Sequence, residues 1–401
     1  MKAILNKSRS RFSYFVLIFL FIFGDIICNN YIFKSFGSQT HAQQFYSFLV
    51  LLILQMVAAP IQAALSDLYC RKKSLVTSLA FSLASLVLVY IYAQTGELFL
   101  PMLCLIIALK GLFGNTIPLS FAAIADARNK KIRLSFGIAT SPYTAGYFWL
   151  IFTNKTFSEP SSILMAIIIF IILVVICCLF FDDIRDKTKR KDQVLHFDSL
   201  APVEIKMEVG LVLKKLYNFS SQMAFISYLL WEISLYSILL LYVDFDVQTF
   251  SSIGIAMLSG ALAAVFVLKI FEKIEDERMI KWGYNLSAFS LVPFFLLYPF
   301  LANFNFYLLS TCYFFHTMGN ILLSASLFAQ MAKRTPPHEC GKIYGLLDSV
   351  DTISFLVASI FIMIYNIFDI KLIYLILFSY ISVAISWIPY AQFKKSKSAG
   401  N

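Results

Sequence analysis

The sequence predicts an all-α membrane protein: twelve transmembrane helices arranged as two pseudo-symmetric six-helix bundles. Three observations carry that expectation. The 401 residues are 59% hydrophobic and only 14% charged, where soluble domains average about 25% charged. Apolar runs of about 18 residues or more recur twelve times, each long enough to cross a bilayer as a helix. The basic residues crowd into alternate loops, which is the signature of membrane topology.

The runs fall near 12–34, 44–66, 74–95, 99–125, 133–153, 161–181, 218–241, 249–270, 280–300, 305–332, 342–364 and 370–392. They lack the strict alternation of barrel strands, so helices are expected. With the N-terminus placed in the cytoplasm, 29 of the 33 Lys and Arg residues lie on that side. Lys34, Lys155 and Lys371 lie on the other, and Lys110 is inside a span. Both termini are therefore expected in the cytoplasm. The first run has a basic start but no small-residue cleavage site, and Gly24, Asp25, Asn29 and Asn30 interrupt it. It reads as a retained span rather than a signal peptide.

The net charge of +10 does not point to nucleic acid, because the charge is dispersed between apolar runs rather than gathered on one face. The seven cysteines show no CxxC or metal-ligand spacing, so they read as reduced and structural. No Walker loop, Rossmann glycine pattern or metal cluster is present, and no cofactor is expected. The longest polar stretch lies between spans six and seven, so the chain divides into a half at 1–181, a linker at 182–212, a half at 213–393 and a tail at 394–401. Mixed charge and Pro202 suit a flexible linker, with His196 a solvated bystander.

The halves look like repeats. Gly114-Asn115, Leu119-Ser120 and Ile124-Ala125-Asp126 in span four are followed at an offset of about 204–205 residues by Gly319-Asn320, Leu323-Ser324 and Phe328-Ala329-Gln330 in span ten. The offset grows to 208 where Arg133 and Gly137 fall opposite Gly341 and Gly345. Such duplication suits a site between two halves.

Ionisable groups near the bilayer centre cost several kcal/mol and need a reason. Four stand near mid-depth: Asp25 in span one, Lys110 in span four, Glu232 in span seven and His316 in span ten. Two readings are open. Asp25 and Glu232 are proton-titrating or substrate-cation sites with Lys110 and His316 as basic counterparts, or the four form static salt bridges between helices. His316 is equally well a hydrogen-bonded packing residue. Asn29, Asn30, Tyr31, Asn115, Trp231, Tyr236 and Asn320 are cavity-lining candidates by position alone. Asp348 and Asp351 fall in the early turns of span eleven, where capping or loop pairing is the expectation.

Between spans two and three lies AALSDLYCRKK, Ala63–Lys73. Asp67 ends its own helix on the wrong side of that helix's dipole, so it should seek Arg71, Lys72, Lys73 or the N-terminal end of a neighbouring helix. A solvated basic loop that merely orients the protein is the alternative. The turn resembles the G-x-L-x-D-R-x-G-R-K loop of major facilitator superfamily transporters. Leu65, Asp67, Arg71 and Lys72 match, while Ala63, Leu68 and Cys70 replace the two glycines and the first arginine. The resemblance covers residues 10–393 and implies several things. Helices one, four, seven and ten line a central cavity. Asp67, with Arg71 and Lys72, belongs to a gate that meets the cytoplasmic start of helix eleven. Lys110 stands where the family has a basic residue, normally Arg.

Span five carries GIATSPYTAG, which resembles the superfamily's antiporter motif, roughly G-x-x-x-G-P-x-x-G-G. Gly137, Pro142 and Gly146 match, and Ser141 and Ala145 replace glycines. Small residues let a neighbouring helix approach closely, and ordinary packing remains the other reading of the stretch. The resemblance implies a secondary transporter working by alternating access, exporting a small organic compound in exchange for protons. A nutrient importer is the alternative, and a membrane enzyme or lipid-handling protein the alternative of another class. The expected partners are a small-molecule substrate, protons and the lipid bilayer, with no nucleic acid, for a monomer in a bacterial inner membrane.

Overall fold

The structure, a computed structural model, describes residues 16–29, 31–32, 41–68, 70–95, 100–127, 131–142, 144–146, 149, 159–181, 229–230, 233, 247–297, 306–335, 339–367, 381–382, 385 and 388. The elements among them are helical throughout. They are α1 (Val16–Asn29), α2 (His41–Leu68), α3 (Arg71–Thr95), α4 (Leu100–Ala108), α5 (Thr116–Asp126), α6 (Ile132–Thr140), α7 (Glu159–Phe180), α8 (Val247–Ile270), α9 (Asp276–Leu297), α10 (Phe306–Arg334) and α11 (Cys340–Ile367). Five stretches among the described residues are long and apolar enough to cross a membrane: Leu49–Leu68, Arg71–Thr95, Pro101–Asp126, Pro160–Phe180 and Ser310–Arg334. Glu232, Asn30, Trp231 and Tyr236 lie outside the described residues, as does the 182–212 linker.

Span four is not one continuous helix. After α4 the backbone widens into a π-helical turn at Leu109–Phe113. It then breaks at Gly114 and Asn115, with ψ of 30° and 83°, before α5 begins. Single π turns inside helices release backbone groups from the regular ladder and gather at functional positions. Here the turn contains Lys110.

Apolar burial cannot hold helices together in lipid as it does in water, so close approach of backbones matters more. Small residues provide it at three crossings. A Cβ added to Gly260 of α8 would strike the carbonyl oxygen of Phe314 on α10. One on Gly283 of α9 would come within 2.7 Å of Gly319 O on α10. Gly345 of α11 meets Pro60 and Ala59 of α2 in the same way. Outward, α7 presents Leu164, Ile168, Ile171, Ile172, Val175 and Leu179 as an exposed apolar stripe, the face a lipid-embedded helix turns to acyl chains.

On this packing, Gly283→Val forces α9 and α10 apart and costs about 1–3 kcal/mol, read as a lowered thermal unfolding midpoint in detergent. Ser259→Ala, on the exposed side of α8 where the hydroxyl bonds only the Ile255 carbonyl of its own helix, leaves that midpoint unchanged.

Candidate functional site

The centre of the site is a buried ion pair. Lys110 Nζ lies 2.7 Å from Asp25 Oδ1, with both side chains almost fully withdrawn from solvent. An ammonium has three hydrogens to place, and Lys110 has an acceptor for each. Besides Asp25, it donates to the carbonyl oxygen of Gly114 and to Ser82 Oγ at 3.5 Å. Gly114 O is available because the residue four further on is Pro118, which has no N–H, so the disrupted span and the lysine are parts of one arrangement. Ser82 Oγ also donates to Gly114 O at 3.3 Å, and Cys28 Sγ donates to Ser82 O at 3.5 Å. One turn along α1 from Asp25, Asn29 Oδ1 accepts from Gln55 Nε2 of α2 at 3.4 Å. Gln62 of the same helix donates to Leu112 O inside the π turn. α1, α2, α3 and the broken fourth span are thus knitted around one charge pair.

The remaining expected residues divide. Tyr31 is buried. Asn115 turns its amide back onto Gly111 O at 3.2 Å, closing the break it sits in. His316 is buried on α10, its carbonyl accepting from Ser287 Oγ of α9 at 3.2 Å. Asn320 lies one turn further, and its carbonyl accepts from Ser324 Oγ at 2.9 Å. Of the four mid-depth groups, Asp25 and Lys110 are brought together.

A second cluster lies at the end of the bundle where the basic loops gather. Asp67 Oδ1 accepts from the Gly341 amide at 2.9 Å and Oδ2 from the Lys342 amide at 3.0 Å. The carboxylate therefore caps the positive N-terminal end of α11. Arg71 grips Asp67, and its Nε donates to Asp126 Oδ2 at 2.8 Å. Its Nη1 donates to both Ser66 Oγ and Ala63 O. Gly341 is needed there, since a Cβ would collide with Ala63 O and lie 2.7 Å from Asp67 Oδ2. Lys72 is half-buried and joins no ion pair among the described residues. The third charged member is Asp126 instead, which the repeat alignment had already matched to Gln330.

In the sequence Arg133 is a loop charge that falls opposite Gly341 in the repeat, with no role assigned to it. The structure sets it at the start of α6 and aims it at the turn between α8 and α9. Its Nη1 donates to Ile274 O at 2.6 Å and Asp276 Oδ1 at 3.1 Å, and its Nη2 to Phe271 O at 2.7 Å and Glu272 O at 3.1 Å. A guanidinium fork is suited to several carbonyls at once. Lys333 of α10 also pairs with Asp276. Its signal in the sequence was its place opposite Gly341 in the repeat.

Between these two clusters, Phe121 and Phe136 from the first half meet Phe328 and Tyr344 from the second. Ring centroids are 5.2 Å apart for Phe121–Phe328 and 5.4 Å for Phe136–Tyr344. Tyr344 Oη donates to Phe328 O at 2.8 Å. Gly137 of α6 lies against Leu268 of α8 and Ala325 of α10, Pro142 is buried just past the end of α6, and Gly146 lies against Ile26 of α1.

A family model described as Major Facilitator Superfamily matches residues 12–359. The chain belongs to the Major Facilitator Superfamily. As a member it is a multi-pass membrane protein and a secondary transporter, not an enzyme, and the predicted twelve-helix, two-bundle class is the superfamily's fold. Two solved structures share that fold. The human organic anion transporter MFSD10 (TETRAN) is 14% identical with a TM-score of 0.66, covering 94% of this chain and 98% of that one. The proton:xylose symporter XylE bound to 6-bromo-6-deoxy-D-glucose is 11% identical with a TM-score of 0.70, covering 96% of each chain. No curated protein matches.

Arg71→Ala leaves Asp67 and Asp126 buried without their shared cation and costs about 3–5 kcal/mol, measured by thermal unfolding. Arg71→Lys restores only part of that, because the planar fork is lost, whereas Lys72→Ala leaves stability within about 0.5 kcal/mol of the parent.

Proposed function

We propose that this superfamily member couples the export of a small organic compound to protons moving the other way, through a site built on Asp25 and Lys110. The observation that carries the reading is the buried Asp25–Lys110 pair, placed at a break in the fourth span. A static strut would need only the ion pair. This pair also holds a freed carbonyl and a hydroxyl, so the lysine has other acceptors when Asp25 takes up a proton.

The cycle follows from that. With Asp25 ionised, Lys110 is neutralised and the two halves sit latched at the basic end by Asp67–α11 and Arg133–α8. A proton arriving on Asp25 removes the counter-ion, the lysine shifts toward Gly114 O and Ser82, and the broken fourth span transmits the change. The halves, 1–181 and 213–393, then rock about the site. Glu232, His316, Asn29, Asn30, Tyr31, Asn115, Trp231, Tyr236 and Asn320 are assigned to the cavity wall on position, with Glu232 the second proton-titrating candidate. The small-residue face Gly137–Gly146, set against α8, α10 and α1, supports exchange over uptake. An import reading draws on the proton:xylose symporter that shares the fold. The basic loops, including Lys72, place both termini in the cytoplasm, in an inner membrane, and the chain acts as a monomer.

Reconstitution in vesicles tests the reading. Asp25→Asn is expected to keep substrate exchange across the membrane while losing accumulation driven by an imposed proton gradient. Accumulation that persists at the parent level in Asp25→Asn removes Asp25 from the mechanism. Accumulation inside right-side-out vesicles with the gradient directed inward, in the parent protein, replaces export with import.

A further inference from the structure

Asp348 was expected to cap or pair in the early turns of its helix, and among the described residues no partner reaches its carboxylate. α11 begins at Cys340, so Asp348 stands eight residues in, about 12 Å along the axis. Its neighbours fix which way it faces. Gly341, Gly345 and Ser349 form the stripe of α11 that meets α2: Gly345 lies against Pro60 and Ala59, and Ser349 Oγ donates to Met56 O at 2.7 Å. Tyr344 points to the aromatic group of Phe121, Phe136 and Phe328. Asp348 is one turn beyond Tyr344 and one residue before Ser349, between the two faces. Met56 in turn follows Gln55, which holds Asn29, one turn from Asp25. The π turn that carries Lys110 packs on the same helix, α2, with Gly111 against Leu54 and Leu51, so Asp348 is at the level of the central ion pair.

The carboxylate is half-buried, and no hydrogen bond or ion pair reaches it among the described residues. A carboxylate at this depth without a partner is costly, which makes it a second destination for the nearby ammonium. The ionisable groups of the elements around it at this depth are Asp351 on its own helix, Asp25 on α1 and Lys110 in the π turn. α2 and α5 carry no Asp, Glu, Lys or Arg other than Asp67 and Asp126 at their far ends. Ser354 of α11 donates to Leu229 O at 3.2 Å, and Glu232, three residues on, lies outside the described residues.

We propose that Asp348 is the second carboxylate of this site, contributed by the opposite half, and that Lys110 passes from Asp25 to Asp348 during the cycle. With Lys110 on Asp25, the Asp348 carboxyl holds a proton. When Lys110 moves to Asp348, the Asp348 O–H bond breaks and that proton leaves toward the basic end. Asp25, now without its ammonium, forms a new O–H bond with a proton from the opposite side. The lysine keeps its own protons throughout, and the two carboxyls together hold one proton in either arrangement. The proposal rests on the proton-coupled reading above and adds a group from the second half that makes the exchange between them direct.

Dicyclohexylcarbodiimide, which reacts with protonated carboxyls in apolar surroundings, tests it on the purified full chain, with modified peptides located by mass spectrometry and Asp348→Asn as the assignment control. The expected result is labelling at Asp348 in the parent protein at neutral pH. In Asp25→Asn it falls by about tenfold, because a neighbouring positive charge favours the ionised form. Labelling returns in Asp25→Asn/Lys110→Gln. Asp25→Ser takes the place of Asp25→Asn if the latter is not recovered monodisperse. Labelling at Asp348 that is absent in the parent at acidic and neutral pH, or that Asp25→Asn leaves unchanged, overturns the proposal. The labelling reads a charge state and not transport, so it stands or falls separately from the vesicle assay that decides the proton-coupled reading.

Discussion

Everything in this molecule is arranged around the cost of keeping one ammonium group in the middle of a membrane. Lys110 carries that charge where water does not compensate it, at a penalty of several kcal/mol. Three acceptors offset it: Asp25 across the bundle, Ser82 on α3, and the Gly114 carbonyl, left without a helical donor because residue 118 is proline. Pro118, four residues beyond Gly114, has no N–H to give that carbonyl, so the sequence that disrupts the helix here also supplies the lysine with its third acceptor.

The latches at the basic end apply the same electrostatics with opposite sign. Asp67 places a carboxylate on the exposed amides of Gly341 and Lys342, at the positive start of α11. Arg133 places a guanidinium on the carbonyls of Phe271, Glu272 and Ile274, at the negative end of α8. Both act across the boundary between the halves, and both address the terminus of a helix, Arg133 with the Asp276 carboxylate beside it. Contacts of this kind are made or lost as a unit when a helix end moves, which suits a part that must close in one state and release in another. The four aromatic rings of Phe121, Phe136, Phe328 and Tyr344 fill the space between them.

Much of this was legible in advance. An ionisable residue inside an apolar run announces itself, so Asp25 and Lys110 could be picked out by depth alone, and the structure brings them together. Asp67 was legible because a carboxylate at the wrong end of its own helix must look elsewhere. What was not legible was which partner a side chain would find. Asp348 was expected to cap or pair in the early turns of its helix, and α11 starts within two residues of the expected position; what the sequence did not show is that no capping or pairing partner reaches its carboxylate among the described residues. The break in span four was signalled by Gly114-Asn115 and by Pro118, whose missing N–H leaves the Gly114 carbonyl without a helical donor, but nothing showed that the lysine would use that carbonyl. Arg133 sat among loop charges, where nothing local distinguishes a residue that orients the protein from one that holds two halves together.

The central claim is that the charge state of the Asp25–Lys110 pair governs whether the basic end is latched. The most direct test is the distance between spin labels at Lys73 and Arg334, exposed positions on opposite halves, followed by double electron–electron resonance as pH is lowered. The account predicts that the distribution shifts to longer separations on acidification in the parent protein, and that Asp25→Asn holds the long separation at every pH. An Asp25→Asn protein whose distances still follow pH as the parent's do would contradict it.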